Sequence, residues 1–306
     1  MDNAHDIDDE EAVASAREVL GNFSIWFSDF ARAIELLELA LPVLERLGHI
    51  QQSHALASIG YAYGWTGSFS KSYAAFERGV RVAKDGGHPT MEGLNYYWRA
   101  CIRYFHGRWN EAIADFERAD ALLRKHHDAP MVIWNNIICG YALYMAGRQA
   151  EGVATTRQAL NEAQAVPNFP VISIAYMFLA EPLCLEGEVD QARELARRSL
   201  ACAESGDNFG QLMAYRVLAM AAARSQPPNW NAAVESIETS IRLAGERGAR
   251  PDEAIGQFRY AEILADMGEL ERAKEQLDVA RRAFDDMGML WWPEQAEQLA
   301  AQLLKQ

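Results

Sequence analysis

Signatures of chemistry are scarce in this chain. Its four cysteines, Cys101, Cys139, Cys184 and Cys202, lie far apart, with no CxxC and no Cys/His ligand spacing. That excludes a dense disulfide framework and any standard zinc site, and it suits unpaired thiols in a reducing compartment. No phosphate-cradling GxxxxGKS/T loop, no GxGxxG turn, no HExxH helix and no GxSxG elbow occurs, so an enzyme reading has no motif behind it. No apolar run is long enough to span a bilayer, and the start, MDNAHDIDDEE, is acidic where a secretory signal would be basic and then apolar. A cytoplasmic location is the expectation. Basic side chains are also outnumbered, 29 against 43 acidic ones, for a formal charge of −14. Such a balance opposes docking on a phosphate backbone or an anionic lipid surface, so neither nucleic acid nor membrane is expected as a partner.

What the chain has in quantity is repetition. Taking breaks between helical stretches as origins gives Ser28, Gly67, Gly107, Gly147, Gly187, Pro228 and Gly268, about 40 residues apart throughout. Other columns test this register. Seven residues before each break stand Gly21, Gly60, Ala100, Gly140, Ala180, Ala221 and Ala261; five after it stand Ala33, Ser72, Ala112, Gly152, Ala192, Ala233 and Ala273. Every entry in both columns is small. Two after it, Phe30, Phe69, Trp109, Val189, Trp230 and Leu270 are bulky, with Gln149 the exception. Small residues at a helix crossing let a neighbour's large side chain fill the gap, which is the pattern of stacked antiparallel hairpins.

The phrasing around Gly60, Tyr63, Gly67, Phe69, Ser72, Phe76 and Gly79, repeated at Gly107, Trp109, Ala112, Phe116 and Ala119, resembles the tetratricopeptide repeat (TPR). The likeness covers about residues 11 to 285. The family's common unit is roughly 34 residues; the longer unit here is similar to MalT-like regulators and to the repeat regions of bacterial cyclase and ATPase regulators. The ending, MGM-x-WW-x-x-Q-A-E, is similar to the close of such regions, so the chain resembles a part of a larger regulator. The resemblance implies an all-α, right-handed superhelical solenoid of seven antiparallel helix pairs with a capping helix at 293–305. Residues 1–10 read as an acidic disordered tail and 11–306 as one array.

Projecting the first helix of each unit onto the groove side, as the resemblance implies, gives Tyr61 and Trp65, then Tyr97 and Tyr104, then Trp134, Tyr141 and Tyr144. Large rigid rings with a polar tip suit a peptide or small-ligand groove. They equally suit a wide core, and both readings stand at this point. Arg99, Arg103 and Arg224 occupy places where the family has apolar seam residues; each requires either a nearby acid, such as Glu111 or Asp115, or a ligand carboxylate or phosphate. Glu181 and Glu262, six residues before their breaks, fall on the same inner face. The Asn/Lys clamp of chaperone-binding members is not matched, since the corresponding positions hold Tyr61, Cys101, Tyr141 and Glu181. His126-His127-Asp128 is the sole histidine cluster and lacks the companion ligands of a metal site, so no metal and no cofactor is expected.

These readings add up to a non-catalytic scaffold or adaptor that binds a protein or peptide segment in the aromatic groove of repeats two to four. A MalT-like domain that oligomerises on binding a small molecule, and a self-assembling scaffold, are the alternatives, and a homo-oligomer is compatible with all three.

Overall fold

The computed structural model describes residues 2–167 and 169–305, with side chains from Glu10 onward. Among the described residues the regular structure is helical, with no strand. Helices come in pairs: α1 (Asp2–Trp26) with α2 (Phe30–Arg46), α3 (Gln52–Trp65) with α4 (Phe69–Asp85), and α5 (Pro89–His106) with α6 (Trp109–Lys125). There follow α7 (Ala129–Met145) with α8 (Gln149–Ala165), α9 (Ile172–Leu185) with α10 (Val189–Ala201), α11 (Gln211–Ala223) with α12 (Trp230–Glu246), and α13 (Arg250–Asp266) with α14 (Leu270–Met287). A final helix, α15 (Trp292–Leu303), closes the series. The fold is an all-α helical-repeat solenoid of TPR type.

The two members of a pair differ in composition for a physical reason. In α4 the buried residues are Phe69, Ser72, Ala75, Phe76, Gly79, Val80 and Ala83, one stripe at helical spacing, and the opposite face is charged. In α9 eleven of fourteen residues are buried. Second helices such as α4 therefore bury a single face, and first helices such as α9 are enclosed on nearly all sides; α1 is the exception, with Val13, Leu20 and Phe23 exposed.

The pairs are tied at their small-residue seam. Ser72 Oγ donates to the Gly60 carbonyl at 2.7 Å, Thr156 Oγ1 to that of Ile137 at 3.2 Å, and Ser240 Oγ to that of Leu212 at 2.7 Å. A Cβ on Gly60 would lie 3.0 Å from the Phe76 ring, and one on Gly140 2.2 Å from Thr156 Oγ1. Between the members the chain reverses through a left-handed residue: Ser28, Gly67, Gly107, Gly147, Gly187 and Gly268 have φ of 59° to 91°. That conformation lets the next amide reach back and satisfy a carbonyl of the last helical turn, as Ser68 N does to Tyr63 O at 2.8 Å.

One segment differs from the sequence expectation. The stretch read as a disordered acidic tail is helical from Asp2 on, as part of α1; acidic residues suit a helix N-terminus, whose dipole favours negative charge. The chain groups into two compact units. One comprises the residues up to Ile102 with Ala114–Val132, the other Arg103–Ile113 with Ile133 onward. The division cuts the α5–α6 hairpin because its tip, residues 103–113, makes its contacts with later repeats.

Candidate binding site

The interior of the second unit holds an arrangement that a plain hydrocarbon core would not need. Tyr104 on the hairpin tip meets Tyr141 of α7 at 5.3 Å between ring centroids and Phe178 of α9 at 5.9 Å, and Tyr141 meets Phe178 at 5.5 Å. One turn beyond Phe178 stands Glu181, whose carboxylate lies between two guanidiniums. It accepts from Arg216 Nη2 of α11 at 3.4 Å and from Arg259 Nη2 of α13 at 3.4 Å. Arg216 Nη1 also donates to Asp252 Oδ1 at 2.8 Å, and Arg259 Nη1 to Glu262 Oε2 at 2.8 Å. Contacts that skip a repeat, as Arg259 to Glu181 does, show that these first helices wrap a common interior.

Glu181, Arg216 and Asp252 are each 1% exposed and Arg259 is 5% exposed. Taking four charges out of water costs several kcal/mol per ion, which pairing repays only in part. The repayment here is incomplete: Arg216 Nε, Arg259 Nε, Asp252 Oδ2 and the Tyr104 hydroxyl are buried without a hydrogen-bond partner in the protein. The two bonds to Glu181 are also long beside the 2.8 Å bonds to Asp252 and Glu262, so Glu181 is the weakly held acid of the set.

Electrostatics follow from this geometry. Burial alone would raise the Glu181 carboxyl, but the charges of Arg216 and Arg259 outweigh it and hold the group below its ordinary value. At Asp252 burial wins over the attraction of Arg216 and the carboxyl is pushed up. Burial also drives the Tyr104 and Tyr141 phenols well above their usual value. The interior therefore carries two cations and two anions of unequal strength, plus two neutral phenols.

This unit also closes on itself. Trp109 meets Trp291, just before α15, at 5.8 Å with rings at 82°. His106 Nε2 donates to the Gly288 carbonyl at 2.7 Å, and Leu290 N donates to the His106 carbonyl at 2.9 Å. Trp292 is fully buried beside Phe258 and Phe284, with the Arg259 guanidinium 6.0 Å from its ring.

The residues expected to touch a ligand occupy other environments. In the first unit Tyr61 packs on Trp98 at 4.2 Å, Trp65 stacks on Phe30 at 5.0 Å and Tyr97 lies 6.2 Å from Phe116. In the second, Trp134 stacks on Phe169 at 5.4 Å, Tyr104 and Tyr141 face each other, and Tyr144 is buried near Glu186 and Glu181. All seven rings are buried, so of the two readings open for them they have the packing of ring-on-ring core. Most of these contacts join neighbouring repeats: Trp65 of α3 meets Phe30 of α2, and Tyr104 of α5 meets Tyr141 of α7. Arg99 donates from Nε and Nη2 to both oxygens of Asp115 at 2.7 and 2.8 Å, and Arg103 Nη1 donates to the Glu111 carbonyl at 2.9 Å with the Glu111 carboxylate 3.4 Å from Nη2. Both arginines thus take internal partners, and Arg224 is solvent-exposed.

Sequence reasoning singled out Glu181 and Glu262 but missed Arg216, Asp252 and Arg259. A signal for them exists in the repeat register. The position of Arg216 holds Ala55, Asn95, Asn135, Ala175 and Gly256 in other repeats, and that of Asp252 holds Gln51, Met91, Met131, Val171 and Leu212. A lone charge in an otherwise apolar helix such as α11 demands a buried partner.

No protein-family model matches the chain, and no curated protein sequence matches it significantly. Solved structures do match in fold. The Rap conjugation gene regulator of plasmid pLS20 in complex with the Phr* peptide is 16% identical, with TM-score 0.70 over 88% of this chain and 72% of that one. A Rap protein complexed with competence and sporulation factor is 16% identical, with TM-score 0.74 over 89% and 75%. Aspartyl phosphate phosphatase F from Bacillus subtilis is 12% identical, with TM-score 0.66 over 95% and 74%. At these identities the likeness concerns the fold. Among the described residues no helix is long and apolar enough to cross a membrane.

Proposed function

We propose that this chain is a non-catalytic, cytoplasmic repeat scaffold that captures a peptide or a segment of a protein on its first helices. The observation that carries the reading is the charged interior of the second unit. Glu181, Arg216, Asp252 and Arg259 sit on three successive first helices with bonding capacity left over. Such groups cost stability where they stand and repay it when a polar chain supplies the missing bonds. That two structures of like fold hold a peptide or a factor supports the same reading. The interior carboxylates are engaged by guanidiniums, which suits recognition rather than proton transfer. In this reading the buried rings Tyr104, Tyr141 and Tyr144 of the second unit form the core that holds the ligand-binding helices in place beside Glu181.

Selection from a displayed library of random peptides, followed by fluorescence anisotropy on the enriched sequences, tests this. The expected result is a consensus that binds saturably and loses at least about tenfold in affinity against Arg216→Gln, of the order of one hydrogen bond to a charged group. No enrichment above the starting library, with the protein folded by circular dichroism, overturns the reading.

A further inference from the structure

The two interior arginines of the second unit are only half used. Arg216 gives Nη1 to Asp252 and Nη2 to Glu181, Arg259 gives Nη1 to Glu262 and Nη2 to Glu181, and the Nε of each is buried without an acceptor. Nε and Nη2 form the edge by which a guanidinium grips an oxyanion with two parallel bonds. Elsewhere in this chain that edge is filled: Arg99 holds Asp115 through Nε and Nη2 at 2.7 and 2.8 Å, and Arg148 holds Glu151 at 2.7 and 2.6 Å. The Tyr104 hydroxyl, within the field of Glu181, Asp252 and Arg216, is a third buried donor without an acceptor. Three idle donors facing one idle acceptor, Asp252 Oδ2, call for an oxyanion.

Glu181 occupies that place, and poorly. Both of its guanidinium bonds are 3.4 Å, against 2.8 Å for the bonds that Arg216 and Arg259 make to Asp252 and Glu262. Each arginine therefore keeps a carboxylate of its own when Glu181 leaves. In its helix Glu181 stands directly before Pro182, a proline inside α9. Pro182 has no N–H to give the Phe178 carbonyl, so the turn that carries Glu181 is short of one helical bond. The acid is the least tied member of the network, on a turn with reduced backbone support.

We propose that Glu181 is an internal stand-in for the ligand, and that the captured segment brings its own carboxylate or phosphate into the place between Arg216 and Arg259. This rests on the peptide-capture reading above and adds to it a ligand chemistry and a built-in competitor. An incoming oxyanion takes the Nη2 bonds that Glu181 releases and reaches the idle Nε groups as well, which completes the two-bond grip that Glu181 does not make. The charge between the arginines is unchanged by the exchange, since one acid replaces another. While Glu181 stays in place the site is closed to other acids, so affinity is set by how readily Glu181 swings away.

The test is affinity-selection mass spectrometry of the full chain with synthetic short-peptide libraries, acetylated at the N-terminus and amidated at the C-terminus. One library contains no acid, one a fixed glutamate and one a fixed phosphoserine; fluorescence anisotropy then measures the selected sequences against parent and variants. The expected result is selection from the acidic libraries alone, the better of the two identifying the oxyanion, with at least about a tenfold loss of affinity when a neutral residue replaces the peptide's acid. Glu181→Gln should bind the acidic peptides at least about tenfold more tightly than the parent, because only the fraction of parent molecules with Glu181 swung away is competent. Tighter binding by a less stable protein is a combination that a purely structural ion network does not give. Equal selection from the neutral library overturns the proposal and leaves peptide capture standing; no selection from any library removes peptide capture and the proposal with it. A Glu181→Gln protein that binds acidic peptides no better than the parent also overturns it. Should that variant misfold, Glu181→Asp, one methylene shorter but still charged, carries the same comparison with a smaller gain.

Discussion

Glu181 is held by two arginines at once, and each of them has a better bond elsewhere. Its contacts to Arg216 and Arg259 are both 3.4 Å, while those arginines reach Asp252 and Glu262 at 2.8 Å. The acid still matters, because without it the two buried guanidiniums keep only Asp252, beside Arg216, and the half-buried Glu262, beside Arg259. Glu181→Gln should therefore destabilise the protein by about 3 kcal/mol in urea denaturation at neutral pH, the range found when one partner of a buried pair is removed. The pH dependence has a definite sign. The folded-state Glu181 carboxyl is depressed, so its contribution is fully present above its unfolded value near 4.5 and is lost as pH falls through the lower folded value. The gap between parent and variant should narrow only in that acidic window; a gap that closes between pH 7 and 5 would contradict the assignment. This residue also marks the limit of reading the sequence. Glu181 was visible as an acid on an inner face, whereas its partners Arg216 and Arg259 lie 35 and 78 residues away. Nothing local couples them; only the superposition of repeats does.

At the scale of the helix pair, sequence and structure agree because each pair is a local problem. Column after column of Gly, Ala and Ser announced close crossings, and the seam at Gly60, Ser72 and Phe76 realises one within seventeen residues of chain. The rings were harder. Tyr61 and Trp65 have the composition of a groove lining, and whether such rings face solvent or each other depends on how far neighbouring pairs close, which no single pair encodes. The two kinds of glycine in a pair can be separated by experiment. Gly140 has no room: a Cβ would come within 2.2 Å of Thr156 Oγ1 and 2.7 Å of Thr156 N. Gly147 has open space around it but φ of 91°. Gly140→Ala should cost roughly 2–3 kcal/mol through forced separation of α7 and α8, against about 1 kcal/mol for Gly147→Ala, which meets only backbone strain. Thermal melts of both variants check the order, and a larger loss at Gly147 would mean that the seam is less tight than these contacts require.

On the scale of the whole second unit, the decisive contact joins the α5–α6 tip to the segment before α15. His106 Nε2 donates to Gly288, the His106 carbonyl receives Leu290 N, and Trp109 stands edge-on to Trp291. The Gly288 carbonyl can only accept, so the neutral ring must carry its proton on Nε2. Burial lowers the affinity of His106 for a second proton, and the hydrogen bond to Gly288, the cation of Arg108 and the carboxylate of Glu111 adjust that without reversing it. The folded state therefore resists a charge that the unfolded chain accepts below about pH 6.5. Stability from this contact is complete above that value and falls as pH drops from 6.5 through the lower folded value, where the unfolded chain binds more protons. The parent should lose melting temperature between pH 7.5 and 5.5, and the protection factor of the Leu290 amide, its exchange rate taken relative to the unstructured rate at the same pH, should fall at the lower pH. In His106→Gln, whose side-chain amide can still donate to Gly288, the acid-dependent part of both changes should vanish while the neutral-pH melting temperature stays close to the parent's. Comparing parent and variant removes the titration of every other group. Equal acid sensitivity in the two proteins would place the closing force in the tryptophan pair instead, and Trp291→Ala would then lower the melting temperature by a similar amount at all pH values.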